Sequence, residues 1–256
     1  MRAIFSLVLI VSFYGFTFGQ DGQNIDYTKS KSFGVINIGR AMPVFGFASA
    51  KGFQPTYVKA GIDFHSFSAF NISYNFYWGL KLGVFVNKIN KDTYHKKFMN
   101  QLASDNFSGS YEYKISGWVN TQILTGPVFA VYSGKSFALD LKILAGLSLA
   151  GKDSSFIKLT HINGTRSEEY QASFTRASLA GLLGLNFRFS PYKRLILNLY
   201  TDLFLGAPTL KYKVAEYING NLTGTNKLQY RKSISQLSVG LGIGFYNKKR
   251  TSRKKI

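Results

Sequence analysis

The chain has 256 residues, 45% of them hydrophobic, 16% aromatic and only 17% charged, with no cysteine and a net charge of +20. So much apolar content excludes a disordered chain, and the length suits one barrel-sized domain or two small ones. The missing cysteine excludes a disulfide scaffold, thiolate metal sites and cysteine nucleophiles.

Met1-Arg2 opens the chain, an uncharged run from Ala3 to Phe18 follows, and Thr17-Phe18-Gly19 forms a small-x-small site. That is the layout of a cleaved export signal over residues 1–19, with the cut between Gly19 and Gln20. An anchor helix is the weaker reading, because about 16 apolar residues fall short of the ~20 needed to span a bilayer. Residues 20–31 read as a short N-terminal segment.

From residue 32 onward the pattern is alternation with period two, the signature of strands whose successive side chains point to opposite faces. The spacing predicts eight strands. The first, 32–45, is the weakest, and 56–71 follows with interruptions. Over 76–84, Phe76, Trp78, Leu80, Leu82 and Val84 oppose Gly79, Lys81 and Gly83. The segment 111–132 reads as one interrupted strand. From 137 to 149 an apolar odd row (Phe137, Leu139, Leu141, Ile143, Leu147, Leu149) opposes Ala138, Asp140, Lys142, Leu144, Gly146 and Ser148. The same alternation returns over 178–188, over 195–206, and over 236–245, where Leu237, Val239, Leu241, Ile243 and Phe245 oppose Gln236, Ser238, Gly240, Gly242 and Gly244.

The connections alternate between long polar ones (46–55, 90–110, 152–171, 214–228) and short ones (72–75, 133–135, 190–194). That order suits an even-stranded antiparallel barrel with both termini on the side of the short turns. In a bilayer such a sheet must close, because an open edge would leave backbone groups unpaired in hydrocarbon. A soluble sandwich also alternates, but its exposed row is rich in Lys, Glu and Thr. Here the polar row is mostly Gly, Ser, Ala and Asn with isolated charges, as a narrow lumen requires. Aromatics gather near the short turns (Tyr132, Phe137, Phe187, Phe189, Tyr192, Phe245, Tyr246). Others border the long connections (Tyr111, Tyr113, Tyr170, Phe174, Tyr212, Tyr230), so two interfacial belts are expected. The fold expected is all-β: an eight-stranded antiparallel up-and-down transmembrane β-barrel over residues 32–246.

The chain resembles the small outer-membrane β-barrel family of Gram-negative bacteria, of the OmpA/OmpX type, over nearly the whole span after the signal. The most motif-like piece is Gly240-Leu241-Gly242-Ile243-Gly244-Phe245. It is similar to the glycine, apolar, terminal-aromatic signal that the family presents to the barrel-assembly machinery, with Gly240, Ile243 and Phe245 as its matching positions. Family barrels often stop at that aromatic, whereas here a tail over 247–256 follows. The resemblance implies an integral protein of the cell outer membrane in contact with its lipid and lipopolysaccharide. It also implies that long connections are extracellular and that the short turns and tail are periplasmic. It says little about activity.

The inward rows are expected to hold Lys59, Asp63, His65, Lys81, Glu112, Lys114, Asp140, Lys142, Arg176, Arg188 and Asp202. Both signs occur on different strands, so they can pair across the lumen as a plug, as buried charges must. The alternative is a narrow porin-like diffusion channel for small solutes, lined by the same residues. A lipid-modifying enzyme is a further alternative, but it would rest on His65, which shares a face with Asp63, or on the loop histidines His95 and His161. No G-x-S-x-G nucleophile motif accompanies them, so no catalytic residue is assigned. Three scattered histidines without cysteine give no metal site, and no cofactor is expected.

The leading expectation is thus a non-enzymatic envelope protein whose surface loops serve envelope stability or surface contact. Asn163-Gly164 and Asn219-Gly220 suggest hairpin turns inside two of the long connections, which could stand up as β-extensions. The tail residues Lys248, Lys249, Arg250, Arg253, Lys254 and Lys255 suit a solvated end or a contact with cell wall or anionic lipid. With these boundaries the short turns and tail carry +9 and the long connections only +2. The charge therefore reads as an inside-facing asymmetry of an exported protein rather than a nucleic-acid footprint, and no nucleic-acid partner is expected.

Overall fold

The computed structural model describes residues 31–48, 58–104, 108–115, 117–134, 136–152, 155–161, 164–173, 177–192, 194–231 and 233–247. The expected export signal, most of the 20–31 segment, Arg176 and the basic tail from Lys248 onward lie outside them.

Eight strands close into a barrel: β1 (Phe33–Pro43), β2 (Gly61–Ser73), β3 (Phe76–Asn87), β5 (Trp118–Ser133), β6 (Phe137–Lys152), β9 (Ser178–Tyr192), β10 (Leu195–Gly206) and β13 (Ile234–Tyr246). Around the barrel the order is β1-β13-β10-β9-β6-β5-β3-β2, every pair antiparallel, so each strand neighbours the next barrel strand in sequence. The seam is β1 on β13, in register from Phe33↔Tyr246 to Pro43↔Gln236.

The two faces of the wall divide as the alternation requires. On β6, Asp140, Lys142, Leu144 and Ser148 are buried inside, while Ile143, Leu147 and Leu149 stand exposed on the outside. The outward rows elsewhere are mostly Ile, Leu, Val and Phe, with Leu241 64% exposed and Leu179 82%. From Phe137 to Leu149 this outer row spans twelve residue steps. At about 3.3 Å per step and a tilt of about 40°, it covers about 30 Å along the barrel axis. Exposed aromatics crowd the short-turn end: Phe70, Tyr74, Trp78, Phe129, Tyr132, Phe137, Phe189, Tyr192 and Phe245. Trp78 fixes its ring by donating Nε1–H to Thr125 Oγ1 at 2.7 Å.

The remaining strands do not belong to the barrel. β4 (Gly109–Lys114), β7 (Ser155–His161), β8 (Gly164–Ser173), β11 (Thr209–Ile218) and β12 (Asn221–Arg231) form a second, five-stranded sheet in the order β12-β11-β8-β7-β4. All five come from the long connections, so the sheet stands at that end. Asn219 (φ 51°) and Gly220 (φ 81°) make the tight β11–β12 turn with both central residues left-handed, as the Asn-Gly pair predicts. Asn219 also ties this hairpin tip to its neighbour: its Oδ1 accepts the Thr165 N–H at 2.8 Å, and its own N–H reaches Thr165 O at 2.8 Å.

Among the described residues two helices remain: α1 (Phe45–Ala48) at the barrel mouth and α2 (Lys91–Ser104) in the second long connection. Asn90 caps α2, its Oδ1 accepting the Thr93 N–H at 3.3 Å. Tyr94, His95 and Phe98 of α2 pack on Tyr111 and Tyr113 of β4 with ring centroids 5.4–5.9 Å apart, and His95 Nδ1 meets the Tyr113 hydroxyl at 3.1 Å.

These elements correct three expectations. The segment 111–132 is two strands in two different sheets, β4 and β5. The aromatic belt expected at the long-connection end is not on the wall: Tyr111, Tyr113, Tyr170, Tyr212 and Tyr230 fall on the second sheet, while Phe174 is outside the described residues. Tyr246, expected in the short-turn belt, faces the lumen and is buried, because its even position shares the inward row of β13.

Candidate functional site

Seven of the eleven charges expected in the lumen are there, all buried: Asp63, His65, Lys81, Asp140, Lys142, Arg188 and Asp202. They form two groups. Near the short turns, Arg188 clamps Asp140 in a two-pronged pair, Nε to Oδ2 at 2.6 Å and Nη2 to Oδ1 at 2.8 Å. Its Nη1 donates to the Tyr246 hydroxyl at 2.9 Å, and its guanidinium lies 4.1 Å from the Phe33 ring centre. Such an aromatic sleeve suits the weakly hydrated, planar cation.

Midway along the barrel, Asp202 holds two ammonium groups at once: Lys81 Nζ at 2.7 Å from Oδ2 and Lys142 Nζ at 2.6 Å from Oδ1. Asp63 sits 3.9 Å from the same Lys81 and accepts the Tyr200 hydroxyl at 3.2 Å. His65 Nδ1 lies 3.3 Å from Asp63, and its Nε2 lies 3.1 Å from the Asn37 amide nitrogen, a pure donor. With the Asn37 amide in this orientation, the imidazole proton sits on Nδ1 and His65 is neutral. Asn198 closes the chain by donating to Asn37 Oδ1 at 2.8 Å.

Among the described residues the charge count then balances: three carboxylates face two lysines and one arginine, all within the wall. Balance matters because a single uncompensated ion in this interior is strongly destabilising. Two inward glycines make the network possible. A Cβ at Gly184 would collide with Asp202 Oδ1 and Lys142 Cε, and one at Gly242 with Asn37 Oδ1. Gly242, Gly240 and Gly244 thus serve the interior, whereas Ile243 and Phe245 of the expected assembly signal face outward and exposed.

Apolar groups fill the lumen beyond the network. Toward the long connections Phe47 of α1 packs edge-on against Trp118 at 5.8 Å, and Phe85 against Phe204 at 5.2 Å, all buried. Toward the short turns Phe33 packs edge-on against Phe67 and Tyr77 at 6.0 and 5.8 Å. The polar middle is thereby capped at both ends.

The other expected lumen charges lie elsewhere. Glu112 and Lys114 are exposed on β4, in the second sheet, because the chain leaves the barrel before residue 118. Lys59 precedes β2, is half exposed, and pairs with Asp92 of α2 at 3.7 Å. Arg176 is not among the described residues. Conversely, Asn37, Asn87, Asn198, Tyr200 and Gln236 belong to the buried polar interior, where Gln236 donates to Asn87 Oδ1 at 2.7 Å. Their inward parity marks them in the sequence, but without a charge nothing there distinguishes them as network members.

The second sheet carries its own charge pattern. α2 and its five strands bear ten Lys and Arg against five Asp and Glu. The near-neutral long connections expected from the sequence are therefore a basic end of the molecule. Lys114 lies on β4 rather than in the barrel, and Lys211, Lys213 and Arg231, just outside the long connections as the sequence bounds them, lie on β11 and β12.

No family model matches the chain, and no curated protein matches it by sequence. Among solved structures it is similar to the outer membrane protein OprG of Pseudomonas aeruginosa, with a TM-score of 0.51 and 13% identity over 88% of this chain and 100% of that one. Neisserial surface protein A and the attachment invasion locus protein Ail of Yersinia pestis match at TM-scores of 0.43 and 0.39, each at 10% identity over 86% of this chain and 99% of theirs. At 13% identity the likeness to OprG speaks for architecture alone, and it agrees with the strand count and the closure. The chain has the fold of the small eight-stranded outer-membrane β-barrels.

Proposed function

We propose that this protein is an integral, non-enzymatic barrel of the outer membrane whose second sheet makes contact with a surface outside the cell. The outer wall supports membrane insertion: an apolar band about 30 Å tall, edged by aromatics at the short-turn end, suits hydrocarbon and not water. The observation that carries the contact role is the second sheet itself. Five strands are invested in a platform with two edges unpaired among the described residues, β4 and β12, at the end opposite Phe33 and Tyr246. Unpaired edges offer backbone donors and acceptors to another chain. With that platform outward, the short turns and the basic tail would face the periplasm.

The capped and charge-balanced lumen supports a structural plug over a diffusion channel. It equally disfavours chemistry at His65, which is fully buried and committed to Asp63 and Asn37.

The test is to replace the β11–β12 hairpin, residues 210–230, with a tight turn in a Gram-negative host that displays the full chain. Heat-modifiable migration of the barrel should persist, while attachment of the cells to epithelial or matrix-coated surfaces falls. A folded barrel with unchanged attachment would sink the contact role. Reproducible single-channel openings of the intact protein in planar bilayers would restore the channel.

A further inference from the structure

At the long-connection end, outside the lumen, lies a cavity of about 390 Å³ bordered by Lys59, Lys88, Lys91 and Asp92, with Ile89 and Ile115 behind them. The fold assembles it from three separate stretches. An isolated bridge between Val58 and Ile89, and the Lys59 N–H donating to Lys88 O at 2.7 Å, draw the approach to β2 against the exit from β3. The Asn90 cap then turns the chain into α2, which sets Lys91 and Asp92 in its first turn.

Three ammonium groups thus border one cavity with a single carboxylate among them. That carboxylate is only loosely engaged, 3.7 Å from Lys59, and Asp92 is 86% exposed. Among the described residues Lys88 and Lys91 have no ion-pair partner. Like charges gathered this way repel, and the cavity keeps a surplus of +2 that an anion would relieve.

The depth of the cavity says which anion. Ile62 and Val86 face each other across β2 and β3, both outward and exposed. Ile62 is paired on its other side with Arg40 of β1, which is also outward and exposed. An arginine beside an apolar row marks the edge of the hydrocarbon, where its long stem lets the charge reach headgroups. Lys88 and Lys59 lie two and three residues beyond that row. At about 3.3 Å per residue and a tilt of about 40°, they sit about 5–8 Å outside the hydrocarbon, within the headgroup layer.

We propose that this cavity binds the phosphomonoester of an anionic lipid headgroup in the leaflet on the long-connection side, with Lys59, Lys88 and Lys91 as its ligands. The assignment rests on the membrane reading given above.

The test uses the full chain in phosphatidylcholine nanodiscs doped with phosphatidic acid or, in parallel, with diacylglycerol of the same chain length. Retained lipid is counted by native mass spectrometry. The wild type should retain phosphatidic acid selectively, and K88Q and K91Q should each weaken retention about fivefold. D92N should strengthen it, while K213Q/K227Q, which removes the same charge from the second sheet, leaves it unchanged. Equal loss in K88Q/K91Q and K213Q/K227Q would reduce the effect to general charge and overturn the site. Inorganic phosphate that displaces the lipid at millimolar concentration would reassign the cavity to the free anion. A chain that fails to enter nanodiscs overturns the membrane reading and the lipid assignment together. One that enters and retains both lipids alike overturns the assignment alone.

Discussion

The barrel and the second sheet are both antiparallel β-structure from one chain, yet they treat charge in opposite ways. The barrel is closed, hides three acids and three bases inside its wall, and presents isoleucine and leucine outside. The second sheet is open at both edges among the described residues and, with α2, carries an excess of five positive charges. Closure explains the contrast. A closed wall satisfies its own backbone and can face hydrocarbon, so polar side chains have only the lumen, where every charge needs a partner. An open sheet must remain among water or partners, where unpaired charge costs little and opposes unwanted edge pairing.

Substitutions that break this contrast rank by how completely the partner is lost. Asp202→Ala leaves Lys81 and Lys142 buried without their shared carboxylate, and should destabilise the barrel by about 3–5 kcal/mol; denaturant unfolding in detergent micelles measures it. Ile143→Lys, at mid-height on the outer wall, should cost about 2–4 kcal/mol by the same measurement. Gly184→Ala pushes a methyl group against Asp202 and Lys142, with an expected loss of about 1–3 kcal/mol. Thr225→Lys, exposed on β12, should change stability by less than about 0.5 kcal/mol. If Lys at 225 proved as damaging as Lys at 143, the two regions would not differ in environment as described.

The barrel was legible in the sequence because period two persists through each strand and the inward row is small or polar. The second sheet was only half legible. Asn219-Gly220 announced its β11–β12 turn, but β4 was fused with β5 because apolar Tyr111, Tyr113 and Ile115 keep the phase of Val119 and Ile123. Alternation alone cannot show that a strand has changed sheets, and so Glu112 and Lys114 were carried into the lumen. The helix α2 leaves a trace in the sequence: Tyr94, Phe98 and Leu102 recur at intervals of four behind the Asn90 cap. Within the lumen, the charged members were found by parity and sign. The pairing of Arg188 with Asp140, or of two lysines with one aspartate, depends on register across strands far apart in sequence.

That dependence on distant strands constrains how the barrel can form. Lys81 and Asp63 come from the first half of the chain, and Lys142, Asp202 and the closing strand β13 from the second. Until β1 meets β13, both edges of the sheet stay unpaired and Lys81 is not held against Asp202 across the lumen. Partly zipped forms would therefore carry naked ions and open backbone into hydrocarbon. Long-range closure of this kind is slow for any β-topology, and here it leaves the half-formed barrel no stable resting place in the bilayer. Folding and insertion must be a single event, completed only when the last strand is delivered.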